Sequence, residues 1–217
     1  MVTDDRQANQ TVILGAARTP QGRFLGGLAT LSPAELGRIV VRAAVERSDV
    51  DTGDISEVII GNVVGAGAGQ ALPRQISLGA GLPDSVGGMV INKVCGSGLK
   101  AVMVAGNAIK AEEGELFITG GVESMSGAPY LNHSMRMGNK YGKVELRDSL
   151  QHDGLWCHLC NWSMGNAAEF IARQLEVDRE ELDEFALRSH QLAGEATDSG
   201  AGLSPGIEPR NYMPKAR

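Results

Sequence analysis

The chain has 217 residues, a formal net charge of −6 and 42% apolar residues, which suffices for one sizeable domain with a buried core. Its acidic balance disfavours nonspecific binding to nucleic acid or to anionic membranes. No run approaches the ~18 apolar residues of a membrane span, and the polar first ten residues lack a signal-peptide core. Three cysteines without framework spacing favour a reducing compartment, so we expect a cytoplasmic protein with no nucleic-acid partner.

Short apolar runs rich in β-branched residues predict buried strands in the first part of the chain. They lie at residues 11–18, 57–65, 89–94 and 116–122. Small residues, mostly glycine, end or follow these runs, as expected where the backbone turns tightly.

Helical patterns lie between these runs. Ser32 can cap a helix, Pro33 suits the first helical position, and Glu35 can reach back to complete a capping box. A short helix over residues 74–78 and a longer one from about 96 to 114 follow the same alternation. Strands that alternate with helices predict an α/β fold whose sheet is largely covered.

After about residue 127 the pattern changes. Residues 128–165 are loop-like, and two helices follow, one over 166–176 and one from the capping residue Asp178 to about Thr197. The end of the chain is rich in glycine and proline. These changes predict a division into an α/β domain over 1–127, a loop subdomain over 128–200 and an atypical tail over 201–217.

Cys95 stands between the third apolar run and a glycine-serine-glycine turn. If the strand ends at Val94 and a helix starts near Gly96, the thiol lies at a helix N-terminus. Unpaired N–H groups and the helix dipole favour a thiolate there, and Gly96 and Gly98 leave room for a substrate. This is the arrangement of a nucleophile elbow. The alternative is a small buried cysteine that packs under the sheet.

The stretch INKVCGSGLKAV (91–102) resembles the acyl-enzyme cysteine signature of thiolases. Further stretches resemble the same family in the same order, at residues 16–28, 61–75, 120–130, 153–156, 164–172 and 179–191. The resemblance implies a thiolase-like fold, in which helices cover a mixed sheet and an inserted loop subdomain covers the coenzyme A site. It also implies the reaction acyl-CoA + acetyl-CoA ⇌ 3-ketoacyl-CoA + CoA through an acyl-thioester on Cys95, with no permanently bound cofactor.

The resemblance also implies contacts to the substrate. The backbone N–H of Cys95 would contribute to an oxyanion hole, and Leu155, Ser163 and Met164 would touch the pantetheine arm of coenzyme A. The alternative for these three residues is ordinary loop packing. Many acetyl-CoA-forming members carry a histidine where this chain has Ser163, so the acyl chain length stays open. Family members are dimers or tetramers, which predicts a homo-oligomer.

Thiolases have a second, similar half, which supplies a histidine in a Gly-His-Pro context and a cysteine in a Cys-x-Gly-Gly context. The histidines and remaining cysteines of this chain lie in neither context, namely His133, His152, His158, His190, Cys157 and Cys160. We therefore expect the second half to be absent and the chain to be a truncated thiolase. Alternatives are a non-catalytic form that only binds acyl-CoA or dimerises, and another Claisen-condensing enzyme such as a ketoacyl synthase.

Cys157 and Cys160 form a C-x-x-C sequence. Such a pair could be half of a zinc site or a redox pair. A structural zinc site needs four ligands, and the sequence contains no second C-x-x-C. We expect a structural role for the pair and no metal site.

Overall fold

The structure, a computed structural model, describes residues 10–199 and forms two compact units that divide between Leu150 and Gln151. The helices are α1 (Pro33–Ser48), α2 (Leu72–Ala80), α3 (Ser97–Lys110), α4 (Met164–Gln174) and α5 (Arg179–Asp198). The strands are β1 (Ile55–Gly61), β2 (Gly87–Ile91), β3 (Leu116–Gly121), β4 (Tyr130–Leu131), β5 (Arg147–Asp148), β6 (Trp156–Cys157) and β7 (Trp162–Ser163). The boundaries predicted after residues 127 and 200 stay predictions, and the tail over 201–217 lies outside the described residues.

The sheet of the first unit has three strands in the order β2-β1-β3. Both pairings are parallel, and Ile59 in the central strand lies opposite Met89 on one side and Thr119 on the other. Among the described residues, antiparallel pairing occurs only in the short pairs β4–β5 and β6–β7. The predicted α/β class is therefore confirmed, with a parallel central sheet.

Helices cover both faces of this sheet. Val58 and Ile60 of β1 pack with Val41 of α1 and Ile76 of α2 in one buried cluster. Ile59 points to the opposite face and packs with alanines of α3. This alternation follows from the two-residue repeat of a strand, and it explains why β1 is apolar without a break.

The apolar run at residues 11–18 was predicted as a strand, and this prediction is wrong. The segment has no regular secondary structure, and Val12, Ile13 and Leu14 are 67%, 81% and 57% exposed. It lines a cavity of about 240 Å³ beside β3. β-Branched composition predicts how well a residue fits a sheet, but a strand forms only where a partner supplies the hydrogen-bond ladder.

The three helices of the first unit and strands β1, β2 and β3 match the prediction with shifted ends, whereas the two-residue strands β4 and β5 lie in the part that was predicted to be loop-like. Helix α1 begins with the predicted capping box between Ser32 and Glu35. Helix α2 is longer than predicted, and α3 ends at Lys110 instead of near residue 114. Strand β1 ends at Gly61 instead of 65. None of the helices in the described residues is both long and apolar enough to span a bilayer.

The second unit is built from a hairpin and two capped helices. Strands β6 and β7 pair antiparallel, and Trp162 contacts Phe170 of α4 with ring centroids 5.3 Å apart. Ser163 caps α4 and Asp178 caps α5, each in a complete capping box. Both helices were predicted within two residues of their observed ends.

Candidate active site

The three parallel strands end at one edge of the sheet, where the following loops converge. The N–H of Asn62 donates to the carbonyl of Ile91 at 3.1 Å, and the N–H of Val122 donates to the carbonyl of Gly61 at 3.0 Å. These bonds join the loops that follow β1, β2 and β3. The crevice outside the carboxyl ends of parallel strands is where open α/β sheets bind ligands.

The carboxylate of Glu123 ties two of these loops together. It accepts hydrogen bonds from the backbone N–H groups of Val63 and Val64 at 2.9 and 3.1 Å, and from the side-chain amide of Asn62 at 2.9 Å. Asn62 is 6% exposed and also donates to the carbonyl of Val122 at 3.0 Å. Sequence reasoning assigned Glu123 no role, because its partners lie about sixty positions away.

The turn that presents Cys95 differs from the sequence prediction. Strand β2 ends at Ile91, not at Val94, so residues 92–95 form a separate turn between β2 and α3. Val94 has φ of 49°, a left-handed conformation that costs a β-branched residue about 1–3 kcal/mol. Such strain persists only where the surroundings impose it. The turn therefore resembles a nucleophile elbow more closely than a plain strand-to-helix step would.

Ser97, the first residue of α3, holds this strained turn. Its hydroxyl accepts from the N–H of Lys93 at 2.8 Å and donates to the carbonyl of Val94 at 2.5 Å. The side-chain carbonyl of Asn92 accepts from the N–H of Val94 at 3.0 Å. Ser97 is 4% exposed, so its hydroxyl is shielded from water. The sequence did not predict this role of Ser97. The only sequence feature that could have indicated it is the position of Ser97 between two glycines.

Cys95 itself is exposed and free. It directly precedes Gly96, the N-cap of α3. This placement agrees with the predicted position at a helix N-terminus, where the dipole favours an anion. The alternative of a buried cysteine under the sheet is wrong.

The start of α3 lies very close to the end of β1. A Cβ atom added to Gly61 would come within 2.7 Å of the backbone carbon of Ser97 and of the nitrogen of Gly98. Only glycine at position 61 allows this approach. The approach fixes where α3 begins, and therefore where Cys95 stands.

The predicted pantetheine contacts lie together in the second unit. Trp156 pairs with Ser163 across the hairpin, so Leu155 and Met164 are the next facing residues at its open end, each 39% exposed. The hydroxyl of Ser163 accepts from the N–H of Asn166 at 3.3 Å and donates to the Asn166 side chain at 2.7 Å. Ser163 thus has a capping role, which the sequence did not predict. Contact of these residues with coenzyme A stays a prediction.

No metal centre is found within residues 10–199, since no three histidine, cysteine or carboxylate side chains there are arranged as ligands. Cys157 and Cys160 are both free thiols. They lie at the β6–β7 hairpin of the second unit.

Comparison with known proteins settles the family. A family model, "Thiolase, N-terminal domain", matches residues 11–203, which is most of the chain. This chain belongs to the thiolase family. The match agrees with the range over which the sequence resembles thiolases.

Relatives and a solved structure extend this result. Acetyl-CoA acetyltransferase of Cupriavidus necator is 47% identical over 189 residues, which are 87% of this chain and 48% of that protein. An acetyl-CoA acetyltransferase of Escherichia coli is 44% identical over 95% of this chain and 52% of its own length. The crystal structure of Acat5 thiolase from Ascaris suum in complex with coenzyme A matches with a TM-score of 0.83 and 39% identity, over 87% of this chain and 49% of that one. The chain thus has a thiolase-like fold and spans about half the length of the curated relatives it matches.

Proposed function

We propose that this chain supplies the nucleophilic half of a thiolase-type acyltransferase, for the reaction acyl-CoA + acetyl-CoA ⇌ 3-ketoacyl-CoA + CoA. The observation that carries the proposal is the exposed Cys95 on a strained turn before α3. Support comes from the 47% identity to an acetyl-CoA acetyltransferase over 87% of the chain.

The chemistry assigns Cys95 the role of acyl carrier. Its thiolate attacks the carbonyl carbon of an acyl-CoA, the bond from that carbon to the CoA sulfur breaks, and the CoA thiolate leaves and takes a proton. A base then removes a proton from the methyl group of acetyl-CoA, the enolate attacks the carbonyl carbon of the Cys95 thioester, and the bond from that carbon to the Cys95 sulfur breaks, which gives the 3-ketoacyl-CoA and the Cys95 thiolate. Cleavage runs these steps in reverse and ends when CoA takes the acyl group from Cys95. Because one thioester replaces another, the site must mainly stabilise the oxyanion that develops on the carbonyl oxygen. The N–H of Cys95 is the donor that we propose for it.

The proposed binding residues for the CoA pantetheine arm are Leu155, Ser163 and Met164. Their support is that they are adjacent at the open end of the β6–β7 hairpin and half-exposed, so a ligand can reach them. The Acat5 thiolase with which the chain shares its fold was crystallised with coenzyme A. Substitution of Leu155 or Met164 by alanine should weaken CoA binding, measured by calorimetry.

A second candidate is a chain that binds acyl-CoA and associates with other copies but does not turn over. Exposed apolar side chains favour association, among them Met89 and Val90 on the edge strand β2, which are 41% and 52% exposed. Unpaired strand edges with apolar side chains pair readily with another chain. The match to a thiolase model disfavours the third alternative, a ketoacyl synthase.

The deciding experiment incubates the 217-residue chain with acetyl-CoA and looks for an acetyl group on the Cys95 peptide by mass spectrometry. The variant Cys95→Ala is the control, and the peptide with Cys157 and Cys160 is an internal control in the same digest. Acetylation confined to Cys95 supports the role of acyl carrier, and turnover of acetoacetyl-CoA in a parallel assay decides between the two candidates. A folded chain whose Cys95 stays unmodified would contradict the proposal.

We also propose that the chain forms a homo-oligomer and works in the cytoplasm. Exposed apolar residues on α3, including Leu99, Val102 and Met103 at 70%, 40% and 53% exposure, give a physical reason for association. Light scattering should show particles larger than one chain. A monodisperse monomer would contradict the oligomer, and fractionation of cells would test the location.

A further inference from the structure

The tip of the β6–β7 hairpin brings two thiols together. Cys157 pairs with Trp162, and the four residues between them form the loop. Cys160 is the third of these loop residues. Asn161 has φ of 53°, which closes the turn, and its side-chain oxygen accepts from the indole N–H of Trp156 at 3.3 Å. Asn161 therefore both closes the loop and ties it to the strand before it.

The two thiols are chemically unequal. The backbone N–H of Cys160, and after it the N–H of Leu159, lower the pKa of Cys157 below its usual range. The neighbouring Cys157 is the main cause that raises the pKa of Cys160. The loop therefore makes Cys157 the better nucleophile and keeps Cys160 protonated.

The thiols are also accessible. Cys160 is exposed, Cys157 is half-buried, and Leu159 between them at the tip is 98% exposed. Cys157 ends β6 and Cys160 lies three residues later in the turn that joins β6 to β7, so the two thiols share one short turn of the backbone. A nucleophilic thiol beside a second thiol is the arrangement of dithiol sites that react with disulfides.

We propose that Cys157 and Cys160 are a reversible thiol–disulfide site that reacts with small disulfides of the glutathione type, Cys157 as the attacking thiol and Cys160 as the resolving thiol. The thiolate of Cys157 attacks one sulfur of the small disulfide, that disulfide bond breaks, and the first small thiol leaves. Cys160 then loses its proton and attacks the sulfur of Cys157, and the second small thiol leaves. The two protein thiols are oxidised and one small disulfide is reduced to two thiols.

This inference is independent of the proposed acyl transfer, because it uses neither Cys95 nor coenzyme A. The oxidised loop would lie one residue pair from Ser163, the cap of α4. Oxidation would thus fix the hairpin that carries the proposed pantetheine contacts. The sequence favours a purely structural role for the pair, and the accessibility of both thiols on one hairpin turn argues against that role.

The test uses the variant Cys95→Ala, which leaves Cys157 and Cys160 as the thiols of the chain. It is incubated without air with oxidised glutathione, trapped with an alkylating reagent and analysed as intact protein and as peptides. We expect loss of two hydrogens in the peptide that contains both cysteines, with no retained glutathione, and recovery by dithiothreitol. Uptake of glutathione on both cysteines without a disulfide would overturn the proposal.

Two further variants in the same background assign the roles. Cys160→Ser should retain one glutathione on Cys157, because the backbone donors to Cys157 remain and no thiol resolves the adduct. Cys157→Ser should react at Cys160 at least about tenfold more slowly. Equal rates for the two variants would overturn the assignment of roles. If a variant fails to fold, peptide mapping of the unsubstituted chain gives the same disulfide readout, with Cys95 as an internal reference.

Discussion

The two units of the chain differ in what stabilises them. In the first unit, Val58, Ile59, Ile76 and Val86 have no exposed surface, and the sheet is covered on both faces. In the second unit, α4 and α5 contain no buried residue in the structure, and their stabilising features are capping boxes and side chains one turn apart. Cys95, the proposed nucleophile, therefore stands on a packed core, and the predicted CoA contacts stand on a segment stabilised by local interactions.

This difference predicts which substitutions should strongly lower the stability of the chain. Burial against a sheet stabilises a helix far more than capping does, since most helical stability in proteins comes from tertiary packing. Substitutions at the elbow of Cys95 should therefore be costly and cooperative. Substitutions in α4 and α5 should be mild and local.

The largest effect is expected from Gly61→Ala. The added Cβ would come within 2.7 Å of the backbone of Ser97 and Gly98, and neither β1 nor α3 can give way without disturbing the core. We expect a loss of about 3 kcal/mol in the free energy of unfolding, measured by urea denaturation, and slower alkylation of Cys95. The control is Gly120→Ala on the neighbouring strand, where an added Cβ meets nothing within 4 Å. Equal losses for both variants would refute the close approach as the cause.

The second largest loss of stability is expected from Ser97→Ala. The substitution leaves the N–H of Lys93 without its hydroxyl partner and removes one bond that holds Val94 in its left-handed conformation. We expect a loss of about 2 kcal/mol and a fall in the alkylation rate of Cys95. The control is Ser77→Ala, because Ser77 is at least as buried as Ser97. The hydroxyl of Ser77 donates only to the carbonyl of Arg74 in its own helix. The control should leave the alkylation of Cys95 unchanged, and a parallel change in both variants would contradict a positioning role for Ser97.

Local signals in the sequence predicted local structure well. Four letters, Ser32 to Glu35, were enough to place the start of α1, and Asp178 placed the start of α5. The same kind of signal at Ser163 was overlooked, because that residue was interpreted as a substrate contact. The position of Cys95 at the N-terminus of α3 also followed from the local pattern.

The parts that failed depend on distant residues. The network around Glu123 joins loops about sixty positions apart, and no short pattern reports such a pairing. Val94 is an exception, because the bonds that accompany its positive φ come from the near neighbours Ser97 and Asn92. A β-branched residue rarely adopts a positive φ, so nothing in the sequence indicated that conformation there. The apolar run at 11–18 pairs with no strand among the described residues. The pattern of the run itself cannot show whether a partner strand exists.

A smaller effect is expected in the second unit from Asp178→Ala. The carboxylate of Asp178 accepts from the N–H of Glu181 at 2.9 Å, and Glu181 reaches back to the N-cap. Loss of this cap should cost about 1 kcal/mol and should increase hydrogen exchange in the first turns of α5 while leaving β1 protected. Asp178→Asn keeps a capping oxygen and should behave like the unsubstituted chain. An equal rise of exchange in β1 would contradict a local effect of this cap.

The smallest effect concerns the pH dependence of the cap on α1. Glu35 accepts from the backbone N–H of Ser32 at 2.8 Å and from its hydroxyl at 2.7 Å, and these bonds, the backbone one first, lower the pKa of Glu35. A lowered pKa means that the cap contributes fully above the ordinary glutamate value of about 4.3 and is lost as the pH falls through the lower folded value. The stability difference between the unsubstituted chain and Glu35→Gln should therefore shrink as the pH falls from 6 to below about 4. In a Ser32→Ala background, which removes the hydroxyl donor, the same comparison should show a weaker dependence on pH, and an unchanged dependence would mean that the hydroxyl of Ser32 contributes nothing to it.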